Sequence, residues 1–258
     1  MNTDDRGARH ILKCLAPGLV TKILQIKALL HLYTLGTALI LIILSLAACR
    51  SEPDTPPPPP TLDAPEMINL PTPREQGDVS LEQAIVRRRS ARAFTDEGLT
   101  PEQLSQLLWS AQGITDPRGF RTAPSAGALY PLEVYVINAQ GFYHYRPQEH
   151  ALALVIAGDL REAVWEAGLK QDALRDAPVV FLICAVYERT EIKYGQRATQ
   201  YVHIEVGHAA QNLLLQAVAL GLGGVPIGAF YDDQLRAALS LPDDHEPLYL
   251  LAVGHPSE

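Results

Sequence analysis

The stretch VRRRSARAF, residues 86–94, sets Arg87, Arg88, Arg89 and Arg92 within six positions around Ser90. Like charges packed this closely repel unless an anion neutralises them, and guanidinium forks are strong, directional donors to phosphate. The same run can instead form a solvated face, or close a helix end through its dipole. The residues alone leave both readings open. Three more segments stand out: TAPSAGALYP (122–131), IKYGQRA (192–198) and GLGGVPIGAF (221–230). Taken singly, each reads as a loop.

Other chemistries find little support. The chain has no cysteine pair and no HExxH, and no metal site is expected. His203 and His208 are five residues apart, which on a helix turns them about 140° from each other. A nucleophile elbow and a Walker motif are missing. Gly221-Leu222-Gly223-Gly224 follows a helical pattern instead of opening one, unlike a dinucleotide fingerprint.

The elements that must position these residues come after an unusual start. Residues 35–48 carry no charge, Lys13, Lys22 and Lys27 precede them, and the run ends Leu46-Ala47-Ala48-Cys49. A basic region, an apolar region and small residues mark an export signal. The ending resembles a bacterial lipobox, which makes Cys49 the expected lipidation site. An uncleaved membrane anchor is the other reading. Either places the rest of the chain outside the cytoplasm, tethered to a membrane. Residues 1–48 hold five of the 21 basic and two of the 29 acidic residues, so the remainder has 16 against 27, a net charge of −11. That excludes a general nucleic-acid grip, which needs a broad basic face. Cys184 would stand alone after Cys14 is removed and Cys49 lipidated, and in VVFLICAVY it reads as a small core residue.

Residues 49–78 contain Pro56–Pro60 and read as an extended spacer. The folded domain is expected over 79–258. Ser80-Leu81-Glu82-Gln83 and Thr100-Pro101-Glu102-Gln103 both carry capping-box spacing and predict helices to about Arg89 and to Gly113. Strands are predicted over 132–138, 141–145 and 152–157, the first two as a hairpin across Asn138–Gly141. Asp159 is expected to cap a helix. The apolar run 177–187 predicts a strand buried on both faces. A long helix over about 197–220, a short one near 232–239 and a last strand over 248–254 follow. Hairpin strands mixed with long helices indicate an α+β fold.

In this order, the four segments resemble the nitroreductase family of flavin enzymes, and within it the SagB-type branch whose dehydrogenases oxidise thiazolines and oxazolines in peptides. The resemblance covers about 80–256. It implies an α+β sandwich, with a central mixed, mainly antiparallel sheet flanked by helices, and two FMN sites shared across a homodimer. By the same resemblance Arg88, Ser90 and Arg92, with Arg89, bind the FMN phosphate. Pro124, Ser125, Ala126 and Gly127 lie along the ring and ribityl chain. Pro226, Ile227, Gly228 and Ala229 face the flavin N5 edge, and His255 assists the phosphate. Gly228 departs from the acidic residue many members carry there. Lys193 and Tyr194 match the lysine–tyrosine pair that azoline-oxidising members use in catalysis. The following helix, with Tyr201, His203, Glu205 and His208, is placed to line the site, although His208 and Asn212 read more readily as a helix face at the dimer interface.

The expected function is thus that of an FMN-dependent oxidoreductase passing a hydride between flavin N5 and a small-molecule or modified-peptide substrate. Since NAD(P)H is not available outside the cytoplasm, the dehydrogenase or oxidase direction is favoured. The alternatives are an NAD(P)H-dependent nitro or quinone reductase and a non-catalytic module that kept the fold.

Overall fold

The computed structural model describes residues 66–257, with Lys22, Gln25 and Lys27 as isolated positions. Cys49, the apolar run before it and Pro56–Pro60 lie outside the described residues. Seven strands among the described residues form one sheet: β1 (Met67–Asn69), β2 (Leu132–Asn138), β3 (Gly141–Arg146), β4 (Ala151–Ala157), β5 (Val179–Ala185), β6 (Gly223–Ile227) and β7 (Glu246–Gly254). Their order is β1-β4-β3-β2-β5-β7-β6, and every paired neighbour is antiparallel. The expected mixed sheet is therefore corrected. Its one parallel feature among the described residues is an isolated bridge, Ser90 to Gly224.

Strand β5 explains the layering. All seven of its residues are buried, and successive side chains of a strand point to opposite faces. Val179, Phe181, Ile183 and Ala185 join the core beneath helices α2 (Pro101–Gln112) and α6 (Ala198–Ala219). Val180, Leu182 and Cys184 join the core on the other face, beneath α3 (Arg161–Ala167), α4 (Asp172–Asp176) and α7 (Asp232–Leu239). Cys184 is a free, buried thiol, the small core residue its surroundings predict. Each such large apolar side chain removed from water contributes roughly 1.5–3 kcal/mol, so the central strand ties both helical layers to one sheet.

The helix signals hold with two qualifications. At α2 the reciprocal box forms, Thr100 Oγ1 accepting from Gln103 N and Gln103 Oε1 accepting from Thr100 N. At α1 (Leu81–Arg87) only half of it forms, Ser80 Oγ accepting from Gln83 N at 3.2 Å. The expected Asp159 cap is displaced: Leu160 is the N-cap of α3 and has no side-chain cap, while Asp159 Oδ1, one residue earlier, accepts the Arg161 N–H. The spacer boundary needs correction. Residues 66–74 belong to the fold, because β1 pairs with β4, Ser105 Oγ donates to the Pro71 carbonyl, and Arg74 and Gln106 exchange two hydrogen bonds.

Candidate active site

After α1 the chain leaves helical geometry at Arg88 and runs beside the outer edge of β6. The Ala91 N–H donates to the Gly224 carbonyl at 3.2 Å. Gly223 permits this approach, since a Cβ there would lie 2.6 Å from that of Ala91. The C-terminal segment joins the same edge, with Thr95 N donating to His255 O and Ser257 N to Ala93 O. Arg88, Ser90, Arg92 and His255 are thereby gathered along one margin. Among the described residues, the side chains of Arg88 and Arg92 make no hydrogen bond or ion pair, and the His255 Nε2 lies 3.8 Å from Glu97. Arg89 departs from the expected phosphate set. Its Nη1 donates to the carbonyls of Val86 and Arg88, at 3.0 and 2.7 Å, and closes the end of α1.

A second group forms around the loop 121–131. Gly127 (φ +64°), Ala128 (φ +55°) and Tyr130 (φ +47°) adopt left-handed geometry. Ser125 Oγ accepts the Tyr130 N–H, the Tyr130 hydroxyl accepts the Arg121 N–H, and the Arg121 guanidinium lies 4.7 Å over the Tyr130 ring. A Cβ at Gly127 would fall 2.9 Å from both Lys193 Nζ and Tyr194 Oη. The fold thus brings PSAG and the Lys-Tyr pair into contact. That pair closes a short helix, α5 (Glu188–Tyr194), and the Tyr194 ring meets Tyr201 edge-on at 4.9 Å. Arg189 of α5 donates to the Tyr130 carbonyl at 3.1 Å and pairs with Glu133 at 2.5 Å. Sequence reasoning missed Arg121, Glu133 and Arg189. Glu133 carries one signal, a single charge in the apolar run PLEVYVI, whereas Arg121 and Arg189 lie among other polar residues and carry none.

The third group lies at the end of β6. Pro226 is half-buried and Ile227 buried, while Gly228 and Ala229 are exposed. Gly228 borders a pocket lined by His203, Val206, Gly207, Leu248 and Tyr249. A Cβ at Gly228 would meet only Tyr249, at 3.7 Å, so space does not demand glycine there. The Tyr187 hydroxyl and His203 Nε2 pair at 2.6 Å beside this pocket.

Helix α6 separates the second group from the third. Asn212 reaches the Thr122 carbonyl and Glu205 neighbours Ser125. At 100° per residue those two positions share a flank, whereas His203, Val206 and Gly207 sit about 100–200° away from Glu205. Glu205 is 2% exposed and its Oε1 has no partner among the described residues. Burial pushes its carboxyl up to about 7, against the pull of the Ser125 hydroxyl and the Arg121 guanidinium.

The nitroreductase family model matches residues 85–255, and this chain belongs to the nitroreductase family. It is 43% identical over 187 residues to a protein of Methanocaldococcus jannaschii that carries the name nitroreductase, covering 70% of this chain and 93% of that one. It is 28% identical to an FMN reductase [NAD(P)H] of Bacillus subtilis, over 68% of this chain and 65% of the relative. It is 27% identical to the microcin B17-processing protein McbC of Escherichia coli, over 57% and 59%. A crystal structure of a family protein from Ralstonia eutropha superposes with a TM-score of 0.66 at 30% identity, covering 74% of this chain and 90% of that one.

Proposed function

We propose that the chain is an FMN-dependent oxidoreductase of the SagB-type branch. It dehydrogenates a small-molecule or modified-peptide substrate as a homodimer tethered outside the cytoplasm by lipid at Cys49. The observation that carries the reading is the meeting of Gly127 with Lys193 Nζ and Tyr194 Oη. It puts two groups able to hold a proton against a glycine backbone that a flat ring can approach. The peptide-processing relative supports the branch, and the family and the FMN reductase relative imply the cofactor.

The residues present fit FMN. Two guanidiniums without partners among the described residues, with the Ser90 hydroxyl, suit a phosphate, and bidentate arginine contacts are strong and directional. Arg88, Ser90 and Arg92 would hold it, with His255 beside them, while Arg89 stays on the helix end. Pro124–Gly127 would lie along the ring and ribityl chain. The Gly228 N–H would orient the N5 edge. When bound, FMN supplies a two-electron hydride acceptor. Lys193 or Tyr194 would take the one proton that the substrate loses, and oxygen or a quinone would be the final acceptor of its two electrons. Val206, Leu248 and Tyr249 give the pocket at Gly228 an apolar wall that would border the ring edge.

Purified chain should be yellow, with the absorption of an oxidised flavin. Arg92→Ala should weaken FMN binding, and Lys193→Ala should retain the flavin but slow substrate oxidation. A colourless protein whose melting temperature FMN does not raise would sink the enzyme reading, because a ligand of the native state must stabilise it. The Bacillus relative favours a second reading, an NAD(P)H-dependent reductase. Anaerobic bleaching by NADPH, with rapid turnover of a nitroaromatic or quinone, would select it.

A further inference from the structure

We propose that Arg189 is a positioning residue of this site: it couples the left-handed turn Gly127–Tyr130 to the helix carrying Lys193 and Tyr194, with Glu133 fixing its fork. The inference rests on the reading of Lys193 and Tyr194 as the proton-handling pair.

The turn is costly to hold. Ala128 and Tyr130 are L-residues at positive φ, each costing roughly 1–2 kcal/mol. Such geometry persists only where the surroundings over-determine it, and it clusters at functional sites. Tyr130 is held at every polar atom. Its N–H donates to Ser125, its hydroxyl accepts from the Arg121 N–H, its ring lies under the Arg121 guanidinium, and its carbonyl accepts from Arg189. Ser125 and Arg121 belong to the same loop. Of these four contacts, the one from Arg189 alone ties the turn to another element.

Helix α5 needs that tie as much as the turn does. It has seven residues, its N-cap Tyr187 makes no side-chain cap, and it ends at Gly195 (φ +52°). A helix this short has no stability of its own, so packing must place it. Ile192 is 89% exposed and contributes little to that packing. Arg189 and Lys193 are four residues apart and stack on one flank, so fixing Arg189 sets where Lys193 projects.

Glu133 completes the clamp from strand β2. Its side chain is 14% exposed, and both oxygens are engaged: Oε1 with Arg189 Nη2 and Oε2 with His144 Nε2 at 2.6 Å. Burial raises its carboxyl, but the bond to His144 and the charges of His144 and Arg189 outweigh that and hold it at about 2. The carboxylate is charged at neutral pH and fixes the guanidinium plane. Arg189 is thus bonded at once to the sheet and to the turn, which a lysine's single ammonium cannot reproduce.

The test uses the full-length, FMN-loaded chain as Arg189→Gln, Arg189→Lys and Lys193→Ala. Hydrogen exchange is read by mass spectrometry over 124–131 and 188–195. In Arg189→Gln both segments should exchange about tenfold faster together while β2 and β5 keep their protection. Arg189→Lys should recover only part of it. With a thiazoline-bearing model peptide and a quinone acceptor, Arg189→Gln should lower kcat about tenfold with little change in KM, the mark of misplacement and not of lost binding. Faster exchange in one segment alone, or loosening throughout the sheet, overturns the coupling. Unchanged turnover in Lys193→Ala removes the proton-handling role, and the exchange result still decides the coupling.

Discussion

Two carboxylates, Glu205 buried and Glu133 partly buried, show how single residues set the pH behaviour of this protein. Glu205 is raised from 4.5 to about 7, chiefly by burial. Between those values the folded chain keeps a proton that the unfolded chain releases. Stability therefore falls as pH rises through that window and levels off above it. Glu205→Gln should raise the melting temperature at pH 8, by up to about 3 kcal/mol in stability, and change it little at pH 5. Equal shifts at both pH values would rule out ionisation as the cause. Glu133 has the opposite sign. Its depressed value adds stability that is present above pH 4.5 and lost as pH falls toward 2. Gly127→Ala should cost roughly 1–2 kcal/mol, because it forces an L-residue into left-handed geometry. It should also displace the Lys193 and Tyr194 side chains, so thermal melts and turnover should both decline, and an unchanged protein would mean the turn relaxes freely.

At the scale of elements, local chemistry and pairing divide the work. The capping box of α2 is local, and Thr100→Ala should lose about 1 kcal/mol as seen in a denaturant melt. No loss would mean that packing alone starts the helix. Strands β2, β3, β5 and β7 and helices α1, α2, α6 and α7 were legible for the same reason, since their apolar periods and end signals lie within each segment. Strand β6 was not. Gly-Gly-Val-Pro-Ile has weak strand propensity, and it is a strand because β7 pairs with it. Pro226 is tolerated where β6 has a ladder partner on one side. Strand β1 was hidden in a proline-rich stretch and exists by pairing with β4. Helix α4 is too short to declare itself, and α5, as long as α1, lacks the capping side chain that announces α1.

For the whole molecule, the flanks of α6 have a consequence. Arg92 and Gly228 belong to the margin of β6, and Gly127 to the other flank, so the proposed homodimer would complete each flavin site with segments from both chains. Mixing Arg92→Ala with Gly127→Val protein should then rescue flavin binding, to about a quarter of the wild-type sites if subunits exchange at random. No rescue would mean that one chain supplies the whole site. The residues by themselves determined the family likeness, the α+β class, the strand buried on both faces and the identity of most candidate contacts, because these are matters of composition, period and motif order. Tertiary structure alone decided that Arg89 closes a helix while the Arg88 and Arg92 side chains have no partner among the described residues, and that Gly127 meets Lys193 and Tyr194. It alone revealed Glu133 and Arg189 as the link between them. Contacts between segments far apart in the chain depend on which backbone atoms the fold leaves in reach, and no local pattern records that.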